Sequence, residues 1–341
     1  LKRIAKKPLA DRKKSAAKRR RSRYATYYKK YKVKNNVILY ESYFGRAMIC
    51  NTYAIFKTLQ DDSCFRKYIH VWSIETEEEL VRLEKLYAHM PNVKFVIRHT
   101  NEYLKYLACS KYLINNNTLP FYFTKKSEQI YVNTWHSITV KTLGYDMKDG
   151  KVAVANTIRN FLSADYLISP CKFTTKVYRD SFKLDGIYEG KIIEEGHPRT
   201  DLTFKSDRED VISKLTSLGV NIDKSKKIIM YAPTWKGTDF TRPDFDVQEY
   251  RNFIEFVGGK VDLDKYQILI KPHQAVYKHI VREGSGDNFI PASIDTNELL
   301  SVVDILISDY SSIYFDYMVT NRPVLFYIPD LEEYQDYRGI Y

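Results

Sequence analysis

The chain has 341 residues, 44% hydrophobic and 28% charged, which is the composition of a folded protein with room for two domains and excludes a chain that is disordered throughout. No apolar run approaches the ~18 residues of a membrane-crossing helix. The net charge of +12 is unevenly placed: residues 1–34 hold 16 Lys and Arg against one acid, and the other 307 residues hold 38 basic and 41 acidic groups. That is a near-neutral globule beside a basic segment, which argues against a uniformly basic nucleic-acid surface.

Residues 1–34 are expected to form a basic helical arm or linker. Breakers are few over 11–31, and Tyr24, Tyr27, Tyr28 and Tyr31 recur at helical spacings. Such a segment suits an anionic membrane surface, where each Lys or Arg near the headgroups contributes ~1 kcal/mol and Tyr side chains favour the interface. A solvated linker helix and an RNA-binding arm are the other readings. The sequence opens on Leu1 rather than Met and has no signal-peptide pattern, so a piece of a longer chain with a possible upstream domain is expected.

From 35 onward strands and helices alternate. Residues 37–40 (VILY), 67–74 and 94–97 read as strands, and 51–59, 76–90 and 101–113 as helices. Over 76–90 the face bearing Leu80, Leu83, Leu86 and Tyr87 is expected to be buried. Short strands follow at 129–132 and 166–168. A polar stretch, 206–226, with one helix at 208–218, separates a second alternation. There strands are expected at 228–231, 267–270, 305–307 and 324–327, and helices at 248–256, 297–302 and 312–319. The pattern predicts an α/β protein of two Rossmann-like domains, 35–205 and 206–341, with a cleft between them and ligands at the carboxyl ends of the strands.

Neither GxGxxG nor a P-loop occurs. The four cysteines, Cys50, Cys64, Cys109 and Cys171, are scattered and contain no CxxC, which argues against a disulfide framework or structural zinc and fits a reducing compartment. Two Asp-x-Asp triplets, 244–246 and 262–264, lie in polar, loop-like surroundings and read as surface acids. The histidines say more. His136 follows the strand at 129–132 and His273 follows the strand at 267–270, one in each expected domain. A cleft would bring the two face to face. Ser308, Asp309, Ser311 and Ser312 follow the strand at 305–307 and precede a helix, a place for helix capping or for anion binding by free N–H groups. Thr234 and Lys236 follow the strand at 228–231. His197 and Arg199 sit just before the linker, where Arg199 suits a phosphate or an interdomain salt bridge.

These segments together resemble the CDP-glycerol glycerophosphotransferase family, the teichoic acid and capsule polyol-phosphate polymerases and primases. The matching pieces are NTWHS (133–137), KTLG (141–144), SADYLISP (163–170), EGHPRTD (195–201), YAPTWKG (231–237), IKPHQ (270–274), DILISDYSSIYFDY (304–317), RPVLFY (322–327) and RGIY (338–341). The chain departs from the family pattern at Ser137, often Gly, and at Gln274, often Pro. The family also continues past RGIY, so a C-terminally truncated second domain is expected.

The resemblance implies a GT-B-like arrangement of the two domains, with a CDP-polyol donor bound mainly by the C-terminal one. It implies transfer of a polyol phosphate to a hydroxyl of a lipid-linked polymer, with release of CMP. In that reading His136 is the general base, and His273 with Lys271 stabilises the diphosphate or leaving phosphate. Ser308, Asp309, Ser311 and Ser312 line the donor site, with Thr234, Lys236 and Arg199 as further donor contacts. No metal and no cofactor is expected, since fixed cations and a helix N-terminus can stabilise the charge. The enzyme would work peripherally at the cytoplasmic face of the membrane. An NDP-sugar glycosyltransferase and a non-enzymatic anionic-polymer or nucleic-acid binder are the alternatives.

Overall fold

Thirteen strands and twelve α-helices are found among the described residues of the computed structural model, which are 9–147, 154–239, 242–244, 246–273, 276–277 and 288–341. The first part runs α1 (Leu9–Lys30), β1 (Lys34–Glu41), α2 (Cys50–Asp61), β2 (Ile69–Ile74), α3 (Glu77–Leu86), β3 (Val93–Ile97), α4 (Asn101–Cys109), β4 (Ser110–Asn115) and β5 (Ile130–Asn133). It continues through α5 (Ala155–Ser163), β6 (Tyr166–Ile168), α6 (Lys172–Ser181) and β7 (Lys191–Ile193). The seven strands form one parallel sheet in the order β3-β2-β1-β4-β5-β6-β7. Residues 37–40 are buried because a parallel strand with both faces covered must be apolar throughout.

The remainder runs α7 (Thr200–Lys205), α8 (Arg208–Ser217), β8 (Lys227–Ala232), β9 (Lys236–Asp239), β10 (Arg242–Asp244), α9 (Val247–Gly258), β11 (Tyr266–Ile270), α10 (Thr296–Leu300), β12 (Ile305–Ser308), α11 (Ile313–Met318), β13 (Val324–Phe326) and α12 (Leu331–Arg338). A second parallel sheet has the order β11-β8-β12-β13, and β9 and β10 form a separate antiparallel pair. Both large sheets reverse their winding next to their first strand, between β1 and β4 and between β8 and β12. Such reversals open crevices at the carboxyl ends of strands.

Three expectations need correction. The helix expected at 101–113 ends at Cys109, and Ser110–Asn115 is instead β4, hydrogen-bonded to both β1 and β5. On α3, Leu83 is buried but Leu86 is 55% exposed, so the buried stripe is Leu80, Leu83 and Tyr87. The basic helix α1 is not a free arm. Tyr24 is 3% exposed, packs with Leu104, Leu107 and Phe123, and donates its hydroxyl to the Thr124 carbonyl at 2.7 Å. Tyr27, Tyr28 and Tyr31 pack against the same cluster, so the tyrosine stripe is core rather than membrane anchor. Lys18, Arg19, Arg20, Arg21 and Arg23 stay exposed.

Candidate active site

The two parallel sheets face a cleft of about 590 Å³, and both His136 and His273 line it. His136 enters it from a strained turn just past β5. Trp135 has φ of +46°, a region L-residues rarely adopt, and the turn is held by hydrogen bonds to its main chain, while the indole N–H of Trp135 is buried without a partner. The Trp135 N–H donates to Asn133 Oδ1 at 2.9 Å, and the Trp135 carbonyl accepts from Asn51 Nδ2 at 3.0 Å. Arg199 donates through Nη1 to the His136 carbonyl.

The His136 ring is fixed as well. Nδ1 lies 2.7 Å from the Asn116 carbonyl oxygen, which can only accept, so Nδ1 carries the hydrogen and Nε2 the lone pair. Burial pushes the imidazole down to about 4; the Asn116 carbonyl opposes this and the nearby Arg199 charge adds to it. His136 is therefore neutral at physiological pH. His273 is pushed down to about 3, first by burial and then by the charge of Lys141. Its ring centre is 6.2 Å from that of Trp235.

The other expected site residues divide. Ser311, Ser312 and Thr234 line the cleft. Ser312 occupies the N-cap position of α11, where its side chain makes no capping bond, so capping does not occupy that hydroxyl. Ser308 and Asp309 are turned to structural tasks. Ser308 is fully buried and donates to the Ala232 carbonyl at 2.9 Å, tying β12 to β8. The Asp309 carboxylate accepts the Thr234 N–H at 2.8 and 2.9 Å and the Ser311 N–H at 3.2 Å, so it shapes the two cleft loops. Burial raises its carboxyl above the usual range.

Lys271 lines the cleft, but its ammonium donates to the carbonyls of Pro291 at 2.7 Å and Ile294 at 3.4 Å. Burial lowers it to about 8. Of the two roles expected of Arg199, the interdomain salt bridge is the one observed. Arg199 is 5% exposed and makes a two-pronged pair with Asp316, Nε to Oδ1 at 3.1 Å and Nη2 to Oδ2 at 2.8 Å, joining the two sheet units. The side chain of Lys236, and Gln274 entirely, lie outside the described residues. Ser137 lines the cleft. His197 is buried outside it, with neither ring nitrogen hydrogen-bonded. Of the Asp-x-Asp acids, Asp246 caps α9 and Asp262 pairs with Lys265 at 2.9 Å.

Sequence reasoning missed the first unit's contribution. Tyr43, Phe44, Arg46, Cys50 and Lys141 all line the cleft. Tyr43, Phe44 and Cys50 have φ of +44°, +65° and +70°. Cys50 heads α2, and its N–H donates to Asp295 Oδ2 at 2.6 Å, while Asp295 Oδ1 accepts from Asn297 and Glu298 at the start of α10. One carboxylate thus caps two helices, one from each unit. Their side chains carried no strand-end or spacing signal; Lys141 alone lay in a quoted motif, KTLG.

The sequence profile of the CDP-Glycerol:Poly(glycerophosphate) glycerophosphotransferase family matches residues 22–341. The chain is 34% identical over 323 residues to a teichoic acid poly(glycerol phosphate) polymerase of Bacillus spizizenii, covering 89% of this chain and 77% of that protein. A polymerase of the same name from Bacillus subtilis is 31% identical over 324 residues, covering 91% of this chain and 41% of its own length. Among solved structures, the wall teichoic acid polymerase TagF superposes with a TM-score of 0.74 at 28% identity, over 98% of this chain and 81% of that one. The two-sheet architecture, and with it the GT-B-like arrangement expected from the sequence, agrees with that likeness.

Proposed function

The chain belongs to the CDP-glycerol:poly(glycerophosphate) glycerophosphotransferase family, and on that premise we propose that it transfers glycerol phosphate from CDP-glycerol to a terminal hydroxyl of a growing polyol-phosphate polymer. The acceptor oxygen attacks the β-phosphorus, a phosphodiester forms, the bond to CMP breaks, and the acceptor proton is taken up by the enzyme. His136 takes that proton on Nε2. One observation carries this assignment: the Asn116 carbonyl holds the hydrogen on Nδ1, 2.7 Å away, so the ring is neutral with its lone pair on Nε2.

On the donor side, His273 and the hydroxyls of Ser311, Ser312 and Thr234 receive the diphosphate. Hydrogen bonds to charged groups strengthen as charge grows on the leaving CMP. Lys271 and Arg199 act at one remove, by fixing the loops that present these groups. Ser308 and Asp309 do the same for the Thr234 and Ser311 loops.

The acceptor is a lipid-linked polymer, and the protein works peripherally at the cytoplasmic face of the membrane. No helix among the described residues is long and apolar enough to cross one. The exposed cations of α1, Lys18 to Arg23, support attachment to anionic headgroups, while its tyrosines hold the helix on the body.

The test is a donor panel: CDP-glycerol, CDP-ribitol and a UDP-sugar, each with a glycerol-phosphate-primed acceptor, followed by nucleotide release. Acceptor-dependent CMP release from CDP-glycerol is expected. UDP release from the sugar donor with no CMP from either CDP-polyol would assign the cleft to a glycosyltransferase instead.

A further inference from the structure

Lys141 belongs to the first unit, in the segment between β5 and α5, yet it lines the cleft together with the second unit's Thr234 and His273. Its ammonium reaches 3.5 Å from Thr234 Oγ1 and stands 5.4 Å from the ring centre of Tyr334. Its charge is felt by second-unit groups: it adds to the burial that lowers the His273 imidazole, and it partly offsets the burial that raises the Asp309 carboxyl.

The main chain around Lys141 is fastened more closely than a loop requires. Lys141 forms an antiparallel bridge with Ile340. The Tyr341 N–H donates to the Val140 carbonyl at 2.9 Å, and the Thr142 N–H to the Gly339 carbonyl at 3.2 Å. The Leu143 N–H donates to the Tyr341 hydroxyl at 3.0 Å, and that hydroxyl also meets Ser181 Oγ at 2.8 Å and Asp146 Oδ2 at 2.7 Å. Gly144 closes the segment with φ of +58°, where a Cβ would stand 2.2 Å from the Ser181 carbonyl oxygen. A long cationic side chain thus starts from a backbone that residues 339–341 hold in register. Pre-organisation of this kind lowers the entropy lost when a flexible cation binds an anion.

Among the further cations that line the cleft, Arg46 stands 3.6 Å from Glu75, Arg199 is paired with Asp316, and Lys271 donates to two main-chain carbonyls. We infer that Lys141 is the cation by which the first unit grips the diphosphate of the donor, and that residues 339–341 are the device that positions it. The inference rests on the donor reading above and deepens it. It places a charge from the first unit beside the hydroxyls of the second, so donor binding itself draws the two units together.

The experiment is calorimetric titration of the full chain and its Lys141→Met, Lys141→Arg and Tyr341→Phe variants with CDP and with cytidine, each variant first checked for cooperative thermal unfolding. Lys141→Met is expected to weaken CDP binding about 10-fold or more, the loss of one charge-assisted contact. Lys141→Arg should restore most of the affinity, Tyr341→Phe should weaken CDP binding to a lesser degree, and cytidine, which lacks phosphates, should bind all four proteins alike. Equal CDP affinity in a folded Lys141→Met variant would overturn the inference, as would equal losses for CDP and cytidine. No binding of CDP by the unaltered chain would instead overturn the functional reading, and this inference with it.

Discussion

The Nδ1 nitrogen of His136 stands 2.7 Å from the main-chain oxygen of Asn116, the residue immediately after the central strand β4. Because a main-chain carbonyl cannot donate, this contact assigns the tautomer without reference to any ligand. The strand that sequence reasoning did not find therefore positions the base that it did.

A base with a depressed imidazole has a distinctive pH signature. The His136 ring is held down to about 4, chiefly by burial, so it loses its lone pair only when the pH falls below that. The acid limb of kcat/KM, which reports the free enzyme, is expected near pH 4 rather than near 6.5. A bound diphosphate brings negative charge and raises the ring, so the acid limb of kcat should lie at higher pH than that of kcat/KM. Steady-state rates between pH 3.5 and 8 check both positions.

Arg199 and Asp316 form an ion pair in which both side chains are nearly inaccessible, 6% and 7% exposed. Removing one partner leaves the other charge buried and alone, which costs ~3–5 kcal/mol. Arg199→Met and Asp316→Leu should each be strongly destabilised in urea unfolding, and the double variant should regain most of the loss. Turnover should stay low in the double variant, because the Arg199 bond to the His136 carbonyl is gone. Recovery of turnover along with stability would show that Arg199 serves only the interface.

Helix α1 separates packing from charge. Tyr24→Ala should destabilise the protein by roughly 3–5 kcal/mol, the range for truncating a buried aromatic. Changing Arg19, Arg20 and Arg21 to Gln together should leave stability almost untouched, yet weaken binding to anionic vesicles by about 1 kcal/mol per charge removed. Co-sedimentation at low and high salt measures the second effect, which should shrink as the Debye length falls.

Much of the fold was legible because buried parallel strands are short continuous apolar runs: 37–40, 228–231 and 305–307 all lie in strands. Strand β4 was not, since α4 ends at Cys109 and the strand begins at Ser110 with no turn residue between them. Leu104 and Leu107 set a helical rhythm, and nothing in the sequence at 110 marks where it stops. Strand β7 is three partly solvated residues, too short to show a period.

In the cleft, the strand-end histidines stood out because strand ends point to the ligand edge. For Arg199 a phosphate and an interdomain salt bridge stayed equally open, and Asp309 was read as a donor contact, because residue type gives a charge but not the partner that occupies it. Lys141 escaped notice because its register comes from Ile340, far along the chain.

The account turns on His136 as the proton acceptor in transfer from a CDP-activated donor. The direct measurement is CMP release from CDP-glycerol, with a glycerol-phosphate-primed acceptor, by the unaltered chain and by His136→Ala, with donor affinity measured in parallel by calorimetry. Turnover in the variant is expected to fall by roughly 10²–10⁴-fold, the usual cost of losing a general base, while donor affinity changes little. Near-normal CMP release by His136→Ala would contradict the account.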